Sequence, residues 1–315
     1  MSTSPQSDET MPSGEGGRIP GTRDPAFELL RPRGQGIPVL IAAPHGGRNY
    51  PPELTANMRE ASWSKMRLED RLVDRLAKDL AQVTGAPLLL AHAPRAMIDL
   101  NRATDDVDWT MVRGDKPQHS GATLANRRAR SGLGLVPRRL HGLGEIWRSP
   151  LGREQLDERI ETIHAPYHET LERALRHIRA QWGAVLLVDL HSMPPLRPRS
   201  AEHLPAEFVI GDRFGASCNA MLAATAIRSL SQAERRVAHN RPYSGGYVLD
   251  RHAAPQRGFH ALQVEVCRSA YLDASLREAG PRMPGVVRLL ATLIRDLAHV
   301  TASLGNDAAL RQAAE

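Results

Sequence analysis

Ala184 to Pro195 reads AVLLVDLHSMPP, and no other stretch limits the fold as strongly. Val185 to Val188 and Leu190 are apolar with only Asp189 between them, and Pro194-Pro195 closes the run. Val185 and Val188 are β-branched. A short apolar run bounded by turn signals is the pattern of a strand buried on both faces, as in a parallel sheet. His191 stands at its C-terminal end. In open α/β sheets ligands bind beyond the carboxyl ends of the strands. The Asp-x-His pair is therefore a candidate for chemistry, with hydrogen bonding to loop backbone as the alternative use of both side chains.

A second run repeats the arrangement. Ile37 to Ala43 (IPVLIAA) reads as a buried strand and ends in Pro44-His45-Gly46-Gly47-Arg48-Asn49-Tyr50-Pro51-Pro52. Again a strand leads to a histidine, here in a Gly/Pro-rich loop whose two glycines would let backbone approach a ligand closely. Leu68, Leu72, Val73, Leu76, Leu80 and Val83 recur at helical spacing, which predicts an amphipathic helix over Arg67 to Val83, stopped by Gly85. Glu69 and Asp70 fall in its first turn, where acids favour the macrodipole. Pro87 to Ala91 and Met97 to Leu100 read as short strands, with Arg95, Asp99, Asn101 and Arg102 between and after them.

Gly114 to Arg139 has no sustained period and reads as a long excursion over the surface or near the site. Leu156 to Trp182 suggests one helix ahead of Pro166 and another after it. Glu207 to Ile210 and Ala261 to Val266 read as strands, and Tyr243 to Tyr247 (YSGGY) as a Gly-rich turn. Ser217 to Leu230 and Met283 to Leu304 read as helices. Helices alternating with strands imply a layered α/β fold, a central mixed but mainly parallel sheet flanked by helices in three layers. We expect a tail at 1–25, one catalytic domain over 26–305 and a short tail at 306–315.

Composition narrows the function classes. The chain has 315 residues, 41% hydrophobic and 24% charged, which is ordinary for a globular domain. No apolar run approaches the roughly 20 residues that span a membrane. The first 21 residues lack the basic and apolar regions of a secretory signal. Cys218 and Cys267 form neither a disulfide framework nor a CxxC pair, so the expected setting is reducing and cytoplasmic. The net charge of +6 raises nucleic acid as a partner. Yet the basic residues are spread along the chain, and aromatics, at 4%, are too few for stacking platforms. Lys65, Lys78 and Lys116 are the only lysines. The arginine fork suits a small acidic substrate, since it matches carboxylates bidentately. The sequence does not fix an oligomeric state.

His45 and His191, both at strand ends with acids nearby, have the composition of a catalytic zinc site, which commonly uses two His and one carboxylate and leaves a position to water. There is no HExxH. His92, His119, His141, His168 and His252 are competitors, assigned mostly to the surface or to helices. Glu265 lies on an apolar strand, where a carboxylate without partners would be costly to bury. Asp99 and Arg102 have a structural salt bridge as their alternative, and Asp189 either orients His191 or another ligand or has a purely structural role. Cys267 reads as core packing.

The blocks PHGGRNYP, LEDRLVDRL, APRAMIDLNR, LLVDLHSMP, GDRFG, RPYSGGY and ALQVEVCRSAY together resemble the N-formylglutamate amidohydrolase family, over about Ile37 to Asp273. That family is similar in fold to zinc-dependent exopeptidases of the carboxypeptidase and aspartoacylase type. The resemblance implies a zinc ion, or another divalent metal, held by His45, His191 and a carboxylate that matches best to Asp70. Exopeptidases of the wider fold often place Glu three residues after the first His. Here that position is Arg48, which leaves Glu69 and Glu53 as alternatives to Asp70. The resemblance also implies Glu265 as the general base or acid, Arg95 as the group that polarises the scissile carbonyl, and Asn101 with Arg102 as the grip on the substrate α-carboxylate. Arg241 is the expected partner of a second acidic group, and Tyr243 and Tyr247 are expected to bind substrate or cover the site.

The implied activity is metal-dependent hydrolysis of the amide of an acidic N-acyl amino acid, with N-formyl-L-glutamate, giving formate and glutamate, as the first expectation. The alternatives are a different acyl group or amino acid, a basic nucleic-acid-binding protein, and an inactive scaffold. Intact His45, His191 and Glu265 argue against the last.

Overall fold

A computed structural model describes residues 11, 13–31, 36–115, 127–198 and 204–314. Among these the main sheet has eight strands: β1 (Gly14–Gly16), β2 (Phe27–Leu30), β3 (Val39–Ala43), β4 (Leu88–Ala91), β5 (Val185–Met193), β6 (Phe208–Gly211), β7 (Val237–His239) and β8 (Phe259–Cys267). Their order across the sheet is β1-β2-β4-β3-β5-β8-β6-β7. The central four, β4, β3, β5 and β8, are mutually parallel. β2 runs antiparallel to β4, and β6 antiparallel to β8. The sheet is mixed with a parallel centre, as the apolar runs predict.

Alternation along β5 gives each face its role. Leu186, Val188 and Leu190 join Val39, Ile41, Leu262 and Val264 in one core, covered by the helices Val73–Thr84, Ala220–Gln232 and Met283–Ala314. Val185 and Leu187 join Leu40, Ala42, Leu89 and Ala261 in the opposite core, beneath the helical run 153–182. Three layers result, with Asp189, His191, Gln263 and Glu265 occupying the C-terminal positions on the second face.

Several expectations are corrected. The helix predicted over Arg67 to Val83 is two helices, α1 (Ala61–Leu68) and α2 (Val73–Thr84), and Glu69 to Leu72 breaks between them. Helical periodicity there is overridden by tertiary partners for the backbone. Asp70 N donates to His45 O at 3.0 Å, Arg268 donates to the carbonyls of Met66 and Glu69, and Leu72 takes a left-handed conformation at φ 56°. Asp70 is thereby freed from a helical first turn, and Asp74 is the first-turn acid of α2. Met97 to Leu100 is a turn rather than a strand. Met97 N donates to Pro94 O, and the Asp99 side chain accepts from Asn101 N at 2.9 Å, a local bond that competes with extended pairing.

Pro166 does not split the helix. α3 (Arg153–Arg159) continues through a π-helical turn, Ile160–His164, into α4 (Ala165–Trp182). The Thr162 carbonyl that a proline four residues on leaves without a donor accepts instead from Arg18 N at 2.9 Å. That contact also shortens the expected N-terminal tail: β1 pairs with β2, and Ile19 is fully buried. Residues 1–10 and 12 lie outside the described residues. At the other end the final helix runs to Ala314, through the expected tail. Of the 114–139 excursion, 116–126, with His119, lies outside the described residues. The rest returns to the core, with Leu135 fully buried and its backbone bonded to Asp99 and Asp106.

Candidate active site

The four parallel strands deliver their C-terminal ends to one cleft of about 230 Å³. His45 follows β3, His191 is the seventh residue of β5, and Glu265 is its register partner on β8. The segment after β4 supplies Arg95, Asp99, Asn101 and Arg102. Asp70 comes from the break between α1 and α2. The loop after β3 is tight because Gly47 lacks a side chain: a Cβ there would meet the Ala93 carbonyl oxygen at 2.1 Å. That glycine serves strand-to-loop packing, not the close approach to a ligand expected of it.

His45, Asp70 and His191 are buried and converge, with one ligand atom from each within 4.8 Å of the others. Asp70 Oδ2 lies 3.0 Å from His191 Nδ1 and 3.7 Å from His45 Nδ1. The opposite ring nitrogens are each held by a fully buried acid, His45 Nε2 by Asp99 Oδ1 at 2.7 Å and His191 Nε2 by Asp189 Oδ2 at 2.8 Å. Both imidazoles thus turn Nδ1 toward Asp70, the second-acid arrangement that orients histidine ligands. Glu69 is buried elsewhere, on Arg71, and Glu53 lines a different cavity. Arg48, at the position expected for a ligand, pairs with Asp74.

The electrostatics suit a cation. Burial alone would raise Asp70, but hydrogen bonds from His191 and His45 outweigh it and hold its carboxyl below the usual range. Burial opposes protonation of His191, yet Asp189 and Asp70 raise its pKa well above the ordinary value. Two ring nitrogens and one carboxylate, each aimed at one point in a field of buried acids, fit a divalent metal.

Glu265 is buried, and burial pushes its carboxyl up to about 7 despite His191 beside it. Gln263 Nε2 donates to its Oε1 at 2.9 Å. Arg95 lines the same cleft and is fixed by Asp99, to which its Nε donates at 2.9 Å. Asn101 is buried, and its Oδ1 accepts from Val248 N at 2.9 Å. Gly246 makes that approach possible, because a Cβ there would lie 2.5 Å from Asn101 Oδ1. Arg102, which lines the cleft, donates from Nε to Leu133 O at 2.9 Å and from Nη1 to Asn101 O at 2.6 Å. Its Nε is 3.9 Å from Asp99, so Arg95, not Arg102, is the closer partner of that acid.

Tyr243 lines the cleft, but Arg241 does not; it borders a separate cavity with Leu196 and Pro205. Tyr247 packs on His164 and His168 rather than facing the cleft. Cys267 is buried beside Met193 and Val209, in keeping with core packing. Arg67, Arg128 and Arg268 also line the cleft and were missed in the sequence. Arg67 and Arg128 sit on segments whose local pattern carries no site signal. Arg268 stands three residues beyond Glu265, just past the end of β8, where it opens the short helix Arg268–Tyr271.

The family model described as N-formylglutamate amidohydrolase matches residues 37–272. An N-formylglutamate deformylase of Pseudomonas aeruginosa is 30% identical over 242 residues, 75% of this chain and 83% of that protein. A second N-formylglutamate deformylase, of Pseudomonas putida, is 30% identical over 249 residues, 75% of this chain and 82% of its own. A crystal structure of N-formylglutamate amidohydrolase from Ralstonia eutropha JMP134 superimposes with a TM-score of 0.74 at 31% identity, covering 89% of this chain and 97% of that one. A match across three-quarters of the sequence, with the whole strand-end cleft inside it, places the chain in the N-formylglutamate amidohydrolase family.

Proposed function

We propose that this chain hydrolyses N-formyl-L-glutamate to formate and glutamate, with a divalent metal, zinc by preference, held by His45, His191 and Asp70. The convergence of those three side chains beside the buried Glu265 carries the reading. The relatives' names supply the substrate. A nitrogen and carboxylate donor set suits zinc. Such an ion supplies Lewis-acid polarisation of the amide carbonyl and a lowered pKa for water.

The protein groups do the rest. Glu265, with a pKa near neutrality, takes the proton of the attacking water and delivers it to the leaving amide nitrogen. Arg95, locked by Asp99, donates to the oxygen that gains charge as the carbonyl carbon becomes tetrahedral. Collapse breaks the C–N bond and frees formate and the amino group. Asn101 and Arg102 bind the α-carboxylate through Nδ2 and the guanidinium. Tyr243 closes over the bound amino acid. Arg67 and Arg128, on the cleft wall, replace Arg241 as the partners of the side-chain carboxylate.

No helix among the described residues is long and apolar enough to cross a membrane. Both cysteines are buried and unpaired, and we include a reducing, cytoplasmic setting in the reading.

The test is formate release from N-formyl-L-glutamate by the purified chain, against N-acetyl-L-glutamate and the α-amide of N-formylglutamate. Activity should vanish on chelation and return with zinc. Full activity in metal-free protein sinks the metal assignment, and equal turnover of acid and α-amide sinks the carboxylate assignment.

A further inference from the structure

The helical run behind the cleft carries buried donors that the chemistry above does not use. Arg159 Nη1 donates to Met97 O at 2.9 Å, His168 Nε2 to Leu100 O at 3.0 Å and His164 Nε2 to Arg102 O at 2.8 Å. The three acceptors are backbone carbonyls of the turn that holds Asp99, Asn101 and Arg102. His164 and His168 are almost completely buried. A carbonyl oxygen can only accept, so each histidine carries its proton on Nε2. His168 Nδ1 is then an acceptor, and His252 Nε2 donates to it at 2.9 Å. His252 closes the short helix Tyr247–His252, whose Val248 N donates to Asn101 Oδ1. One chain of hydrogen bonds therefore joins α4 to both walls of the cleft.

The π-helical turn explains how one helix reaches all three carbonyls. In regular α-helix, positions 159 and 164 point about 140° apart, whereas 164 and 168 share a face. The wider turn over Ile160–His164 absorbs the extra residue. Ile163 is kept in the core, fully buried, while His164 turns to the loop. Such bulges often mark functional positions.

We propose that His164 and His168 are positioning residues for substrate recognition. By fixing the carbonyls on either side of Asn101, they set the direction in which Asn101 and Arg102 present their donors to the α-carboxylate. The proposal rests on the α-carboxylate reading above. It assigns these histidines no contact with substrate or metal.

The test uses the full-length, metal-loaded chain and four variants: His164→Leu, His168→Leu, His164→Gln and His168→Gln. Glutamine carries an N–H near the Nε2 position and keeps the bond; leucine removes it. The readouts are kcat and KM for N-formyl-L-glutamate and for its α-amide, with metal content and melting temperature. Each leucine variant should lose about tenfold of the preference for the acid over the amide, through KM, as expected for one lost hydrogen bond at a charged grip. The glutamine variants should recover most of it, with metal content unchanged in all four. Should the leucine variants fail to accumulate, His164→Asn and His168→Asn, too short to reach the carbonyls, are read the same way. A preference that survives with only the melting temperature lowered overturns the inference alone. A wild type without any preference overturns the α-carboxylate reading, and the inference with it.

Discussion

Asp99 accepts His45 Nε2 on Oδ1 at 2.7 Å while its other oxygen accepts Arg95 Nε at 2.9 Å. One buried carboxylate thus orients both a proposed metal ligand and the proposed carbonyl donor. Among the described residues Asp189 holds only the histidine, accepting His191 Nε2 on Oδ2 at 2.8 Å.

The first prediction follows from this double use. Asp99→Asn keeps the shape but offers one acceptor oxygen for three donors, His45 Nε2, Arg95 Nε and Asn101 N. Metal affinity should fall by about 10–100-fold, the usual effect of losing a carboxylate behind a histidine ligand. Competition with a fluorescent chelator measures it. Unchanged affinity would mean that His45 needs no orienting partner.

Glu265→Gln separates proton transfer from binding. The amide retains the size of the side chain and cannot take a proton from water. Metal content and KM should stay near wild type, while kcat drops by about 10²–10⁴-fold. Loss of the metal in this variant would make Glu265 a ligand instead.

The buried strands, the strand-end histidines and Glu265 were legible because their signals are local. An apolar run of four to six residues ending in a polar side chain reads the same way wherever it occurs. Asp70 was legible as a residue and not as a geometry. It stands between Leu68 and Leu72, whose own spacing is helical, and only the contacts of Arg268 and His45 with the backbone unwind that stretch. The segment after β4 misled for a related reason, since Met97 to Leu100 is apolar enough for a strand while its carbonyls are bound by side chains of α3 and α4. Arg241 was placed by its neighbours in RPYSGGY, and the turn that brings Tyr243 to the cleft carries Arg241 away from it. Long-range partners of this kind leave no periodicity to read.

The buried histidines predict a pH dependence of stability. Burial, with Arg251 and His164 nearby, lowers His252 to about 3, below the roughly 6.5 of an unfolded histidine. The unfolded chain therefore binds this proton first as pH falls. The stability is fully present above pH 6.5 and is lost as pH drops toward 3, at up to about 1.4 kcal/mol per pH unit. His168 is lowered in the same direction by burial and by His164 and His252. Urea unfolding of wild type and His252→Gln between pH 7 and about 4.5 should show a shallower slope in the variant. Parallel slopes would show that His252 is not held neutral in the folded chain.

The side-chain carboxylate of the substrate tests the cleft wall. Arg128 lines the cleft, on the helical turn Arg127–Arg130, and contributes to lowering the pKa of Arg102 after burial and Arg95. Two guanidinium groups that repel one another in the free protein gain most from a ligand carrying two negative charges. Arg128→Ala should therefore raise KM for N-formyl-L-glutamate by about tenfold or more, the scale of a lost charged hydrogen bond, and change KM for N-formyl-L-alanine little. Arg67→Ala should act in the same direction and more weakly, because its Nη2 is partly committed to His141 O at 3.2 Å. Arg241→Ala, outside the cleft, should leave both substrates unaffected. If Arg241→Ala alone weakens the glutamate substrate, the carboxylate lies on the other side of Tyr243, and the wall formed by Arg67 and Arg128 is not where the acidic side chain binds.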